Sequence, residues 1–94
     1  NLEGDLVGFI HEAVKDGVAG VLINPGGFSH TSVAILDAIT SVDTPIVEVH
    51  LTNLCKREDF RQKLITGSAC LGVIQGGGFS SYISGAQLLL DNIF

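Results

Sequence analysis

Two short stretches hold the residues of this chain whose types and spacing are best suited to chemistry. In the first, Asn24-Pro25-Gly26-Gly27 is followed by His30. Asn24 carries both a donor and an acceptor, and Gly26 and Gly27 let backbone amides approach a ligand with no Cβ in the way. His30 stands where a helix would open, so the loop suits a polar, anionic small molecule. Ordinary turn chemistry with a solvated histidine explains the same residues equally well. In the second stretch, alternate residues of an extended strand share a face, so Ile46, Glu48 and His50 point the same way. A carboxylate beside an imidazole orients it and favours the imidazolium, which suits His50 to donating a proton near neutral pH. A structural Glu and His pair satisfying each other is the plainer account. Arg57 and Arg61 lie four residues apart and would share a face if that segment were helical. A guanidinium fork matches a carboxylate or a pair of hydroxyls, and Arg61 is the better candidate. Pairing with Glu58 or Asp59 on a solvated turn is its simpler alternative.

The elements that must position these groups alternate along the chain. Leu2, Leu6, Phe9, Ile10, Ala13 and Val14 recur at helical spacing, with Glu3 and Asp5 in the first turn and Gly17 as a stop. The apolar run 18–23 predicts a strand buried on both faces. Ser29 or Thr31 is expected to cap a second helix whose inner face is Val33, Ala34, Ala38 and Ile39. Asp43-Thr44-Pro45 returns the chain to a strand over 46–51, residues 69–74 predict a third strand, and a last helix runs through Leu88, Leu89, Leu90 and Ile93. Such alternation implies an open parallel α/β sheet with right-handed crossovers. Ligands bind outside the carboxyl ends of the strands of such sheets, and Asn24, Gly26, Gly27, His30, His50 and Thr52 all fall there.

Composition narrows the function classes. With 94 residues the chain makes one domain at most, and 46% apolar against 16% charged residues suggests that some apolar surface ends in a subunit interface. A net charge of −5 with only five Lys and Arg argues against nucleic acid or an anionic membrane as partners. No apolar run approaches the roughly 20 residues needed to span a bilayer. Cys55 and Cys70 show no metal-ligand spacing, and no leader is evident, so a reducing cytoplasm is expected. Gly76-Gly77-Gly78 follows a strand and opens a helix, but Ser81 stands where a dinucleotide fingerprint needs its third glycine. Lys15, Lys56 and Lys63 lack the apolar surroundings a Schiff-base lysine requires.

Three segments in order, 23–32 (Ile-Asn-Pro-Gly-Gly-Phe-Ser-His-Thr-Ser), 47–53 (Val-Glu-Val-His-Leu-Thr-Asn) and 57–61 (Arg-Glu-Asp-Phe-Arg), resemble type II 3-dehydroquinate dehydratase, a shikimate-pathway hydro-lyase. The resemblance covers essentially the whole chain. It implies a flavodoxin-like three-layer α/β sandwich with a parallel sheet, residues 1–94 forming a partial, N-terminally incomplete domain. It further implies elimination of water from 3-dehydroquinate through an enolate, giving 3-dehydroshikimate, with no metal, Schiff base or other cofactor. On that pattern Asn24 holds a water that stabilises the enolate, Glu48 orients His50, and His50 is the general acid. Gly26, Gly27, His30 and Arg61 contact substrate, the Leu51 amide and Thr52 hydroxyl meet its carboxylate, and Asp37 reaches it from a neighbouring subunit of a trimer-based dodecamer.

Residues 1–4, Asn-Leu-Glu-Gly, look like the family's Asn-His-Glu-Gly helix start with Leu2 in place of His. The family places before that point a first strand, a mobile lid carrying the tyrosine base and an arginine, and a second strand. Tyr82 matches no catalytic position. Two other readings compete: a catalytically inactive ligand-binding or assembly module that keeps the rim, and a phosphate or nucleotide binder using the two glycine-rich loops.

Overall fold

A computed structural model describes residues 2–93; Asn1, the first residue of the motif read at the start of the chain, lies outside the described residues. Helix α1 (Leu2–Lys15) has Glu3 and Asp5 in its first turn and Lys15 in its last, each sign placed to complement the helix dipole. Gly17, at φ 76°, ends it. The Gly17 amide bonds the Val14 carbonyl at 3.0 Å and the Val18 amide bonds the Ala13 carbonyl at 3.2 Å, the paired bonds of a Schellman stop. That stop consumes the Val18 amide, so strand β1 is Val21–Ile23 and not the expected 18–23. On α1 the core takes Ile10 and Ala13, while Leu2, Phe9 and Val14 are exposed.

Helix α2 (Val33–Thr40) is capped by Ser32, whose hydroxyl accepts the Ile35 amide at 3.0 Å. The expected caps Ser29 and Thr31 lie instead in and just after a 3-10 turn, Gly26–His30. The buried face of α2 is therefore Ile35, Ala38 and Ile39, with Val33 and Ala34 exposed. Strand β2 (Ile46–His50) is buried along its whole length. Three 3-10 turns follow, at Leu54–Lys56, Asp59–Gln62 and Thr66–Ala69. Strand β3 (Gly72–Gln75) starts three residues later than expected because the Thr66–Ala69 turn takes up Ala69. Helix α3 (Ser80–Ile93) closes the described chain.

The sheet is parallel in the order β1-β2-β3. Alternation splits its side chains between two layers. Val21, Ile23 and Ile46 join Ile10, Ala13, Ile35, Ala38 and Ile39 under α1 and α2, and Val47 and Val49 join Leu89 with Leu22, Ile74 and Leu88 under α3. Gly85 lets α3 lie against the sheet: a Cβ there would come 2.9 Å from Leu22 Cδ2 and 3.2 Å from Val49 Cγ2. The result is the parallel α/β sheet expected from the alternation of elements, in the three layers that the family resemblance implies. Glu48 and His50 continue the α1/α2 face of β2 toward its carboxyl end. There register pairs Ile23 with Glu48 on one side and His50 with Gln75 on the other.

Candidate active site

At the carboxyl end of β2 the side chain of Glu48 is fully buried, and that of His50 is 5% exposed. His50 Nε2 lies 2.8 Å from Glu48 Oε2. The same oxygen accepts the Ser29 hydroxyl at 2.7 Å. The other carboxylate oxygen accepts the Thr66 hydroxyl. Burial pushes the Glu48 carboxyl up, but the bonds from His50, Thr66 and Ser29, with the charge of His50, outweigh it and hold the group below its ordinary value of 4.5. Behind it, burial first and the Glu48 charge second push the Cys70 thiol up to about 12, so it stays protonated and inert.

His50 faces a cavity of about 190 Å³ that it shares with Asn24, Gly26, Gly27, His30, Leu51, Thr52, Leu54, Arg57 and Arg61. This volume is below the roughly 300–1,000 Å³ of drug-sized sites and suits a small polar molecule. Asn24 follows β1 directly. Its Oδ1 accepts the Gly26 amide at 3.0 Å in an Asx turn, and its Nδ2 donates to the Tyr82 hydroxyl at 3.3 Å; Gly26 itself adopts a φ of 59°, which favours glycine there. His30 ends the 3-10 turn and is itself buried, with Nδ1 3.0 Å from the Lys63 carbonyl. A carbonyl only accepts, so Nδ1 carries a proton and Nε2 is the nitrogen left for a ligand. The His30 ring lies 6.3 Å from that of His50, nearly parallel, and Phe60 meets its edge at 6.1 Å.

Arg57 and Arg61 reach the cavity wall without the helix that would have aligned them. Arg57 is extended between two 3-10 turns, and Glu58 joins both guanidinium groups: Nε of Arg61 at 2.5 Å and Nε of Arg57 at 3.9 Å. The Arg61 guanidinium also lies 4.9 Å from the centre of the Phe60 ring. The Glu58 carboxyl is held below its ordinary range, by a backbone hydrogen bond of its own residue first and by Arg61 second.

Of the residues singled out from sequence, Asn24, Gly26, Gly27, His30, His50, Leu51, Thr52 and Arg61 converge on this cavity. Glu48 supports it from behind. Asp37 does not reach it and stands exposed on α2. Sequence reading missed Thr66, Gln62 and Gln75, and it gave Ser29 the wrong partner. The Gln75 side chain accepts the Leu54 amide at 2.7 Å and Gln62 donates to the Leu54 carbonyl at 2.6 Å, pinning the turn that leads to Arg57. Gln75 had a usable signal, since it ends the strand beside His50. Thr66 sits in an aperiodic turn and had none. Among the described residues no group of three or more His, Cys, Asp and Glu could hold a metal ion, and no helix is long and apolar enough to cross a membrane.

A parallel α/β sheet with a buried histidine, a carboxylate bonded to it and two arginines beyond its strand ends defines a class of small-molecule sites in open α/β folds. The chain belongs to the class II dehydroquinase family, whose model matches residues 1–90. It is 46% identical over 93 residues to a 3-dehydroquinate dehydratase of Clostridium perfringens (strain 13 / Type A), covering 99% of this chain and 64% of that protein. It is 51% identical over 82 residues to the 3-dehydroquinate dehydratase of Helicobacter pylori (strain Shi470), covering 87% and 49%. The crystal structure of type II dehydroquinase from Butyrivibrio crossotus DSM 2876 superposes with a TM-score of 0.90 at 40% identity, over 94% of this chain and 61% of that one. The type II dehydroquinase of Propionibacterium acnes gives 0.84 at 36% identity, over 95% and 65%. The chain spans less than two thirds of the length of each of these proteins. The family resemblance carried by the three sequence segments thus holds.

Proposed function

We propose that this chain is the acid-bearing part of a 3-dehydroquinate dehydratase that eliminates water from 3-dehydroquinate to give 3-dehydroshikimate. The observation that carries the reading is the His50 and Glu48 pair opening onto a small cavity with two arginines on its wall. A base outside this cavity wall, the lid tyrosine that the family resemblance implies, takes the proton from C2 of the substrate and leaves an enolate, which a water held by Asn24 stabilises. His50 then gives a proton to the departing C1 hydroxyl, water leaves, and a conjugated double bond remains. Glu48 orients His50. Arg61, with Arg57 beside it, attracts the anionic substrate, and the Leu51 amide and Thr52 hydroxyl meet its carboxylate. His30 Nε2, Gly26 and Gly27 position the ring hydroxyls. No residue on the cavity wall is assigned the base, because Tyr82 lines the neighbouring groove instead.

The reading extends to assembly. Asp37, exposed and away from its own cavity, reaches the substrate of an adjacent subunit in a trimer-based dodecamer, and the enzyme works in the cytoplasm.

Turnover of 3-dehydroquinate by the full protein, followed through the near-ultraviolet absorbance of the conjugated product, tests the proposal. We expect His50→Ala to lower kcat by roughly 10²–10⁴-fold, the usual worth of a positioned general acid. Absence of turnover by the folded protein, or undiminished turnover in His50→Ala, overturns it.

A further inference from the structure

Two hydroxyls that no part of the proposed reaction uses, Ser29 and Thr66, converge on the buried carboxylate. Both are fully buried, and they arrive from different segments, the turn after β1 and the turn before β3. Their oxygens lie 3.2 Å apart, which closes a ring of polar atoms around Glu48. The approach of the second turn is close. A Cβ on Gly67 would sit 3.2 Å from Glu48 Oε2 and 2.9 Å from Val73 Cγ2, so only glycine brings Thr66 to the carboxylate without displacing it.

Counting protons shows what this ring selects. When the Glu48 and His50 pair holds one proton, it rests on Nε2 facing the carboxylate. When the pair holds two, there are two arrangements with the same number of protons. One is an ion pair, with imidazolium protons on Nδ1 and Nε2 and an ionised carboxylate. The other is neutral, with a carboxylic acid donating to Nε2 and a proton left on Nδ1. The two arrangements present Nδ1–H to the cavity with very different acidity, because only the first is an imidazolium. Each hydroxyl has a single proton, and donating it to the carboxylate favours the charged form of Glu48. Among the described residues nothing bonds His50 Nδ1.

We propose that Ser29 and Thr66 are positioning residues that keep the doubly protonated pair as imidazolium and carboxylate, so that His50 delivers its proton from Nδ1 as a cation. The proposal deepens the acid role given to His50 and rests on it. The titratable groups facing the pair are His30 across the cavity, Arg57 and Arg61 on its wall, and Cys70 behind Glu48, which remains a thiol.

The test is a pH titration of the full protein by nuclear magnetic resonance, reading the ¹⁵N signals of the His50 ring and the ¹³C signal of the Glu48 carboxyl. In the wild type we expect a neutral His50 protonated at Nε2. On acidification Nδ1 should gain its proton while the Glu48 carbon keeps its carboxylate shift. In Thr66→Val and in Ser29→Ala the Glu48 carbon should move toward the neutral acid in the same step. Their kcat should fall roughly tenfold or more with KM little changed, the scale of a lost hydrogen bond to a charged group, and Thr66→Ser should restore both signals. If the wild-type Glu48 carbon titrates together with His50, or if a folded Thr66→Val keeps both signals unchanged, the proposal is overturned. Should Thr66→Val fail to fold by circular dichroism, Ser29→Ala and the wild-type titration decide the matter. Expected signals in a wild type that turns over no 3-dehydroquinate would sink the enzyme reading and leave the ring standing.

Discussion

Glu48 has no exposed surface, and a lone carboxylate in that position would be neutral. Three donors keep it charged, and this charge is a stability term. Its folded pKa lies below the ordinary 4.5, so on acidification the unfolded chain binds a proton first. The contribution is complete above the unfolded value and disappears as pH falls through the folded one. In Glu48→Gln the hydrogen bonds from His50, Ser29 and Thr66 no longer end on a charge, which we expect to cost about 1–3 kcal/mol. We expect thermal melts of Glu48→Gln to show lower stability at pH 7 than the wild type and a flatter decline below pH 4.5. A decline as steep as that of the wild type would mean that Glu48 is not the group lost in acid. Much of this site was legible at the residue scale, because a strand alternates: Glu48 and His50 had to be neighbours wherever the strand lay. Thr66 was not legible, because its bond to Glu48 bridges eighteen positions between a strand and a turn with no period.

Elements were read correctly in type and order and wrongly at their ends, for a physical reason in each case. Ser29, Thr31 and Ser32 are all acceptable caps by chemistry. What separates them is that the Gly26–His30 segment closes its own 3-10 turn, with Ser29 drawn inward to Glu48, so the first free amides of α2 lie beyond Ser32. The late start turns Ile35 inward in place of Val33 and Ala34. Similarly, the apolar run 18–23 looked continuous, but its first amide was already committed to ending α1. Ser32→Ala should therefore cost about 1 kcal/mol or somewhat more, given the burial of this cap, while exposed Thr31→Ala should stay within about 0.5 kcal/mol. Chemical denaturation of the two variants checks this, and equal effects would contradict the assignment of the cap.

For the molecule as a whole, the open parallel α/β sheet was readable from the alternation of elements, since short connections and buried apolar strands leave few topologies, while the three layers were implied by the family resemblance. What the alternation could not tell is which apolar residues stay outside. Leu2, Phe79 and Ile83 are 72%, 81% and 73% exposed, so three large apolar side chains lie uncovered at the start of α1 and around the start of α3. The two thiols divide just as sharply. Cys70 is held protonated beside the Glu48 charge, whereas Cys55 is exposed on the turn two residues before Arg57. The chain has only these two cysteines. A maleimide or iodoacetamide dye at pH 8 should therefore add once, at Cys55, as peptide mapping by mass spectrometry would show, and labelling of the half-buried Cys70 in the folded protein would contradict its raised pKa. The fold thus supplies a ready attachment point for a fluorophore beside the mouth of the cavity, from which ligand entry past Arg57 could be watched by emission alone.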